Sequence, residues 1–187
     1  MALISNPRIR RAQAGLVVID IQDRLLPQIF EKERLIKNTV LLLKGAAILR
    51  VPIFVTEQYR KGLGVTTPEI VAAIADFAPM EKVTFSSCGA EGFVEALKAK
   101  GILDVILCGM EAHICVLQTC LDLLERKDLR VFVVADAVSS RTAENCRLAL
   151  DRMRDATAQI VSTEMVLFEM LGRAATEEFK QVLNLVR

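Results

Sequence analysis

Residues 103–121 read LDVILCGMEAHICVLQTCL, and they decide the fold because an apolar run, a glycine and a cysteine follow one another as strand, turn and helix. Residues 105–108 are continuously apolar, which predicts a buried parallel strand. Apolar residues then recur at helical spacing over residues 115–124, and GMEAHI predicts a tight turn between the two elements. Cys115 therefore lies in the first helical turn, where unpaired backbone N–H groups and the helix dipole favour a thiolate.

Strand and helix patterns alternate along the rest of the 187 residues. Apolar runs predict further strands at residues 15–21, 53–56, 130–135 and 159–161. Periodic apolar positions and capping residues predict helices at residues 34–50, after Pro68, at residues 90–100, from Ser140 to residue 154, from Ser162 to residue 171, and at residues 174–185. Residues 1–14 show little periodicity and predict a loosely held arm. The alternation predicts one α/β domain, 1–187, with an open parallel sheet and helices on both faces.

In such a sheet, ligands bind outside the carboxyl ends of the strands. Asp20 and Asp136 each follow an apolar run, Gln58 follows another, and residues 109–115 form the turn after the run at 105–108. The sequence therefore predicts a site at this edge of the sheet, although the rule does not say which of these residues are close together.

Composition excludes several classes of partner. The formal net charge is +1, from 24 basic and 23 acidic side chains, and neither sign forms a long run. A nucleic-acid groove or a membrane-binding basic patch is therefore not expected. Hydrophobic residues make up 52% of the chain, so we expect a large core and contacts between copies of the chain, that is, a homo-oligomer acting on a small molecule.

The five cysteines are an odd number without a CxxC pair, and the N-terminus does not resemble a signal peptide. This pattern predicts reduced thiols and a cytoplasmic protein. No apolar run approaches the roughly 20 residues that span a bilayer.

Cys115 needs a second group in order to act as a nucleophile. A thiol with a pKa near 8.5 is only about 3% ionised at pH 7, and lowering that pKa by about two units requires about 2.7 kcal/mol. A helix terminus supplies roughly 0.3 to 1 kcal/mol. Without a nearby base or cation, Cys115 would be a small buried hydrophobic residue, which is the alternative for any free cysteine.

Two charged residues are candidate partners for this thiol. Asp20 ends the apolar run GLVVIDI and is either a general base or a carboxylate that braces a loop. Lys82 is either a surface lysine or a cation that stabilises the thiolate. His113, the one histidine, is two residues from Cys115, and side chains at that spacing do not face the same way, so we expect a hydrogen-bonding role. The chain has no HxxxH or CxxC pair for a metal.

Three motifs around these residues resemble the isochorismatase-like cysteine hydrolases: VVIDIQ with Asp20, EKVTFSSC with Lys82, and CGMEAHICVLQT with Cys115. The resemblance covers residues 15–171, and TEQYRKGLG and DAVSSRTAENCRLAL are similar to the subgroup of YcaC-type and isochorismatase domain-containing proteins. It implies a three-layer α/β/α sandwich, Rossmann-like, with a mostly parallel sheet.

The resemblance also implies a catalytic triad. Asp20 would take the thiol proton and pass it to the leaving group, Lys82 would hold the thiolate, and Cys115 would attack a carbonyl carbon to form an acyl thioester. It further implies a cis peptide bond between Met110 and Glu111, and an oxyanion hole formed by the backbone N–H groups of Glu111 and Cys115.

Two departures narrow the expected reaction. The metal-binding nicotinamidases of this family carry histidines after the second strand, where this chain reads EQYRKGLG, so we expect neither a metal nor another cofactor. Isochorismatases proper cleave a vinyl ether without needing a cysteine nucleophile, so Cys115 favours hydrolysis of a small amide C–N bond. The alternatives are vinyl ether hydrolysis and a noncatalytic binding or scaffold protein of the same fold.

Residues after the first two predicted strands are candidates for lining the pocket. We expect Gln22, Gln58 and Tyr59 to contact the substrate. Arg60 and Lys61 either attract an anionic group or belong to a solvated loop.

Overall fold

The computed structural model describes residues 8–187, in which six parallel strands form one sheet in the order β3-β2-β1-β4-β5-β6. The strands are β1 (Ala14–Ile19), β2 (Ile53–Gln58), β3 (Met80–Lys82), β4 (Asp104–Met110), β5 (Arg130–Ser139) and β6 (Gln159–Val161). The helices are α1 (Lys32–Leu49), α2 (Arg60–Leu63), α3 (Pro68–Val71), α4 (Phe93–Ala99), α5 (Leu117–Glu125), α6 (Ala143–Asp155), α7 (Thr163–Leu171) and α8 (Glu177–Val186). A π-helix, Ala112–Val116, leads directly into α5.

The central strands are buried on both faces, as their continuous apolar runs predict. Every residue of β1 and β4 is buried. Alternate residues point to opposite faces, so Leu16 and Val18 belong to one core and Val17 and Ile19 to the other. Helices cover both faces of the sheet, which makes the three-layer α/β sandwich.

Helix α1 packs closely against α7 at Gly45. A Cβ atom at this position would lie 2.2 Å from the Cδ2 atom of Leu167, so a larger residue here would force the Leu167 side chain to move. The contact holds α1 and α7 in one layer, on the face of the sheet that carries Leu16 and Val18.

Two predicted helix starts had different outcomes. Ser162 caps α7 as predicted, because its hydroxyl accepts a hydrogen bond from the Met165 N–H at 3.3 Å. The prediction for Ser140 was wrong: β5 continues to Ser139, and Thr142 caps α6 by accepting from the Asn145 N–H at 3.1 Å.

Strand β3 was not predicted from the sequence. Its residues, Met80–Lys82, form no apolar run, and the strand exists because it pairs with the end of β2. In that register Gln58 stands opposite Lys82. The unpredicted strand is therefore what brings Lys82 to the carboxyl edge of the sheet.

The predicted N-terminal arm needs a correction, and its first seven residues lie outside the described part of the chain. From residue 8 on, the segment is packed. Ile9 is buried, Arg10 pairs with Asp104 at 2.6 Å, and Arg11 pairs with Glu178 at 2.7 Å. These contacts are between residues more than 90 positions apart, so local sequence could not reveal them.

Within residues 8–187, no helix is long and apolar enough to cross a membrane.

Candidate active site

Strands β1, β3 and β4 bring Asp20, Lys82 and Cys115 to the carboxyl edge of the sheet. Asp20 directly follows β1, Lys82 ends β3, and Cys115 lies in the π-helix after β4. Asp20 has a φ of 54°, a left-handed conformation that turns the chain away from the strand, and its N–H donates to the Thr56 carbonyl at 3.1 Å. The structure therefore brings together the three residues that the sequence motifs contain.

Asp20 is a buried carboxylate that lies beside a cation, a hydroxyl and a thiol. The Lys82 Nζ donates to its Oδ2 at 2.7 Å, the Thr56 hydroxyl donates to its Oδ1 at 2.8 Å, and the Cys115 thiol lies close enough to lower the pKa of the carboxyl. Burial raises the pKa of the Asp20 carboxyl above its usual value, against the opposing effect of the Lys82 charge. Asp20 is therefore a stronger base than a solvated aspartate.

Lys82 has no solvent-exposed side-chain surface, yet its ammonium is surrounded by oxygen acceptors. Besides Asp20, Nζ contacts the Gln58 Oε1 at 2.7 Å and the carbonyl oxygens of Phe85 and Thr84 at 2.9 and 3.3 Å. These contacts replace the lost hydration of a buried charge. The ammonium therefore lies at a fixed position beside the carboxylate and the thiol.

Cys115 is 6% exposed and opens onto a cavity. Burial, and next the negative charge of Asp20, raise the pKa of its thiol to about 12. The expectation that the helix start alone favours a thiolate is therefore not met, because desolvation and the carboxylate outweigh the helix dipole. With this pKa, Cys115 is expected to be a thiol at neutral pH, beside the Asp20 carboxylate.

The backbone before and around Cys115 has two unusual features, a cis peptide bond and a π-helical turn. The Met110–Glu111 peptide bond is cis, at the position that the resemblance implies. The Glu111 carbonyl accepts from the N–H groups of Ile114 and Val116 at 3.1 and 3.2 Å, on either side of Cys115. These bonds form a π-helical turn in which the Glu111 carbonyl accepts no hydrogen bond from the Cys115 N–H.

Gly109 makes this arrangement possible. Its φ of 121° is available to glycine, and a Cβ atom there would lie 2.1 Å from the Ile19 carbonyl oxygen. The end of β4 thus approaches the end of β1 closely enough to bring the cysteine turn beside Asp20.

A cavity of about 340 Å³ lies over these groups. Asp20 and Cys115 form part of its wall. The apolar part of the wall consists of Leu25, Leu63, Phe85 and Ile114. The remaining polar wall consists of Gln28, Gln58, Glu111 and Arg141. Such a cavity fits one small organic molecule.

Buried hydroxyl groups hold the wall behind Asp20, and sequence reasoning missed them. The Thr119 hydroxyl accepts from the Ser87 N–H at 2.8 Å and donates to the Ser87 hydroxyl at 3.2 Å. Ser87 in turn lies 3.5 Å from the Thr56 hydroxyl. This chain ties the loop after β3 to α5. The small hydroxyl residues in EKVTFSSC and CVLQT were the available signal.

Of the three predicted pocket residues, only Gln58 lines the cavity. Gln22 is fully buried, and both atoms of its amide bond to backbone: Nε2 donates to the carbonyls of Gln58 and Gly64, and Oε1 accepts from the Gln58 N–H at 2.7 Å. It braces the loop that follows β2. Tyr59 is 51% exposed and lies outside the cavity wall, against Gly62.

The other charged and polar candidates also lie away from the cavity. Arg60 pairs with the buried Glu57 at 3.5 Å, and Lys61 is exposed, as the solvated-loop alternative predicts. His113 shares a hydrogen bond with the Ser140 hydroxyl at 3.0 Å, and burial lowers the pKa of its ring. Among the residues from 8 onward, no group of three histidine, cysteine, aspartate or glutamate side chains could hold a metal.

Comparison with protein families gives a match to the isochorismatase domain over residues 14–165. Isochorismatase domain-containing protein 2 of Danio rerio is 39% identical over 172 residues, which are 91% of this chain and 85% of that protein. The secreted isochorismatase effector Isc1 of Phytophthora sojae is 39% identical over 179 residues, which are 92% and 83% of the two chains.

Several solved structures have the same fold as this chain. The MAR1 ribonuclease of Caenorhabditis elegans superposes with a TM-score of 0.90 at 38% identity, covering 96% of this chain and 92% of that one. YcaC from Pseudomonas aeruginosa, solved with hexane-2,5-diol and covalent acrylamide, has a TM-score of 0.89 at 25% identity, covering 98% and 93%. The Escherichia coli YcaC gene product, an octameric hydrolase of unknown specificity, has a TM-score of 0.90 at 25% identity, covering 98% and 91%.

Proposed function

Because this chain belongs to the isochorismatase family, we propose that it is a metal-independent cysteine hydrolase that cleaves a small amide C–N bond through an acyl thioester on Cys115. One observation carries the proposal. The Asp20 carboxylate is hydrogen-bonded to the Lys82 ammonium and lies beside the Cys115 thiol, at the wall of a cavity that fits a small molecule.

The first half-reaction follows from the raised pKa values of Asp20 and Cys115. As the Cys115 sulfur attacks the amide carbon, its proton moves to Asp20, so a free thiolate need not accumulate. The Lys82 ammonium, 2.7 Å from Asp20, offsets the negative charge that the two groups share. The substrate oxygen would be held by the backbone N–H groups of Glu111 and Cys115, and the π-helical turn, whose Glu111 carbonyl accepts no hydrogen bond from the Cys115 N–H, supports this assignment.

The same groups complete the acylation and then carry out hydrolysis of the thioester. Asp20 gives its proton to the leaving nitrogen as the C–N bond breaks, which releases the amine or ammonia and leaves the acyl thioester. Asp20 then accepts a proton from water as the water attacks the thioester, and the sulfur recovers a proton when the carboxylic acid departs. Each proton is taken up and released at Asp20, so the cycle needs no cofactor.

The Pseudomonas aeruginosa relative supports both parts of this proposal. Acrylamide is covalently bound in that structure, and acrylamide is at once a small amide and a thiol-directed electrophile. It is therefore a suitable probe for Cys115.

The test is ammonia release from a panel of small amides by the wild-type protein, Cys115→Ala and Cys88→Ala. Cys88 is a partly buried thiol outside the cavity wall, so it is the matched control. We expect Cys115→Ala to lose turnover and acrylamide labelling, and Cys88→Ala to retain both. A vinyl ether is assayed beside the amides, and its hydrolysis by Cys115→Ala but not by Asp20→Asn would instead indicate the isochorismatase type of reaction. No turnover by the wild-type protein on a broad panel would favour a noncatalytic binding protein.

A second candidate function is cleavage of RNA, which the Caenorhabditis elegans ribonuclease favours. The cavity supplies one cation, Arg141, which is paired with Glu111, and its remaining wall is largely apolar. That arrangement suits a small amide better than the phosphodiester backbone of RNA. Incubation of single- and double-stranded RNA with wild type and Cys115→Ala decides between them, and cleavage that is lost in Cys115→Ala would favour the ribonuclease.

Assembly and compartment are also proposals. The octameric Escherichia coli relative supports a homo-oligomer, and two exposed apolar residues beside Lys82, Val83 and Phe85, are 76% and 53% exposed. Light scattering measures the assembly. A cytoplasmic location remains a prediction, because the Phytophthora sojae relative is secreted.

A further inference from the structure

Arg141 is the only cationic side chain on the cavity wall that has donors to spare. Its Nε donates to the Glu111 Oε1 at 2.8 Å, and this is the one hydrogen bond of its guanidinium within residues 8–187. The side chain is 51% exposed. The four N–H bonds on the two terminal nitrogens therefore remain available to a ligand.

Most other polar groups of the wall already have hydrogen-bond partners. The amide of Gln58 accepts from Lys82 and donates to the Val83 carbonyl at 3.0 Å, and the four oxygen neighbours of the Lys82 ammonium leave it no free N–H. Gln28 is exposed and makes no hydrogen bond through its side chain in the described chain. Gln58 therefore keeps one free N–H beside Asp20, whereas Arg141 and Gln28 are the groups of the wall whose terminal N–H donors are all free.

We propose that Arg141, assisted by Gln28, binds a carboxylate of the substrate, so that the substrate is a small amide that also carries an acid group. This inference rests on the proposed amide hydrolysis. A guanidinium presents parallel N–H groups that match the two oxygens of a carboxylate. Leu25, Leu63, Phe85 and Ile114 would surround the short hydrocarbon body between the acid and the amide.

Glu111 gives the proposal a second consequence. Glu111 is 6% exposed and lines the same cavity. Its carboxylate accepts a hydrogen bond from the Arg141 Nε and would repel a carboxylate bound to the terminal nitrogens of Arg141. Removing that charge should therefore favour acidic substrates, whereas removing Arg141 should disfavour them. Opposite effects of neighbouring substitutions are not expected from a merely structural ion pair.

The test compares each monoamide of a short dicarboxylic acid, from oxamate to glutaramate, with the uncharged diamide of the same length. The measured quantity is the ratio of kcat/KM for the acid to kcat/KM for the diamide. In Arg141→Gln we expect this ratio to fall about ten- to a hundredfold, mainly through KM, because a lost hydrogen bond to a charged group has that effect. In Glu111→Gln we expect the ratio to rise.

Three further variants separate specificity from folding. Arg141→Lys keeps the charge and should retain part of the ratio, while the double variant Glu111→Gln/Arg141→Gln leaves no unpaired buried carboxylate and should behave like Arg141→Gln. Arg147→Gln is the matched control, because Arg147 is 59% exposed, pairs with Glu144 and Asp151, and lies outside the cavity wall. It should leave the ratio unchanged.

A binding measurement keeps this inference separate from the reaction itself. Succinate should protect Cys115 from acrylamide labelling in the wild-type protein but not in Arg141→Gln, whether or not any amide is turned over. The inference is overturned if succinate protects both proteins equally or neither, or if Arg141→Gln lowers the activity on acids and diamides by the same factor. Absence of amide turnover together with Arg141-dependent protection would overturn the proposed function and leave the carboxylate site standing.

Discussion

The sheet carries a buried aspartate at each end, and the two are held in opposite ways. Asp104, at the amino end of β4, accepts hydrogen bonds from the side chains of Arg10 and Arg130 and from the Arg10 backbone N–H. Asp20, at the carboxyl end of β1, has one buried ammonium, one hydroxyl and one thiol. Neither side chain is exposed to solvent, although Asp20 is surrounded by more protein than Asp104.

The number and type of donors decide the difference. Burial opposes ionisation of Asp104, yet hydrogen bonds from the two guanidinium groups hold the pKa of this carboxyl below its usual value. At Asp20 burial dominates, and the pKa is raised. One carboxylate is therefore a structural brace that holds its charge, and the other can exchange a proton with a neighbouring thiol.

The largest expected effect comes from replacing each aspartate by asparagine. In Asp20→Asn, which keeps the shape of the side chain, no base remains for the Cys115 proton, so amide turnover should fall about a hundredfold to ten-thousandfold. Asp104→Asn should leave kcat within about twofold per folded molecule and lower only stability, by roughly 1 to 3 kcal/mol. Ammonia release and urea unfolding measure the two effects, and an equal loss of kcat in both variants would refute the division of roles.

The next effect concerns the buried cation. Lys82→Met leaves the Asp20 carboxylate buried without its ion-pair partner, which should lower the free energy of unfolding by about 3 to 5 kcal/mol. The double variant Asp20→Asn/Lys82→Met removes both charges and should recover most of that loss. Arg130→Met at the other end should cost less, because Arg10 still pairs with Asp104. A double variant as unstable as Lys82→Met in urea would contradict this account.

The smallest effect is the pH dependence of stability. Because the folded-state pKa of Asp104 is lowered, its contribution is present above the unfolded value of 3.8 and is lost as the pH falls through the folded value. The raised pKa of Asp20 acts in the opposite sense: its contribution is present below 3.8 and is lost as the pH rises through the folded value. Urea unfolding from pH 7 down to pH 2 should therefore show the stability difference between wild type and Asp104→Asn shrinking once the pH falls below 3.8. A difference that stays constant would rule out Asp104 as a charged brace.

Much of this site could be predicted because chemistry and spacing coincide in short motifs. Asp20 and Cys115 each follow a continuous apolar run, and parallel strands bring such positions to one edge of a sheet. Lys82 was identifiable only through the motif that surrounds it, since its strand of three residues carries no apolar run.

Gln22, Thr56 and Arg141 show where sequence reasoning stopped. A glutamine after a strand looks the same whether its amide meets a substrate or, as for Gln22, the backbone of a neighbouring loop. Thr56 and Arg141 reach Asp20 and Glu111 across 36 and 30 residues of chain. Contacts of that length depend on how the elements pack, so no local pattern records them.

The sequence by itself determined the α/β alternation, the edge of the sheet that carries the site and the residues that bear its chemistry, because periodicity and motif are properties of neighbouring residues. Only the tertiary structure decided the protonation of those residues. The same aspartate is a brace or a base according to the number of donors that folding brings to it and the water that folding removes. At one end of the sheet Arg10 and Arg130 surround the Asp104 carboxylate. At the other end Lys82, Thr56 and Cys115 surround the Asp20 carboxylate.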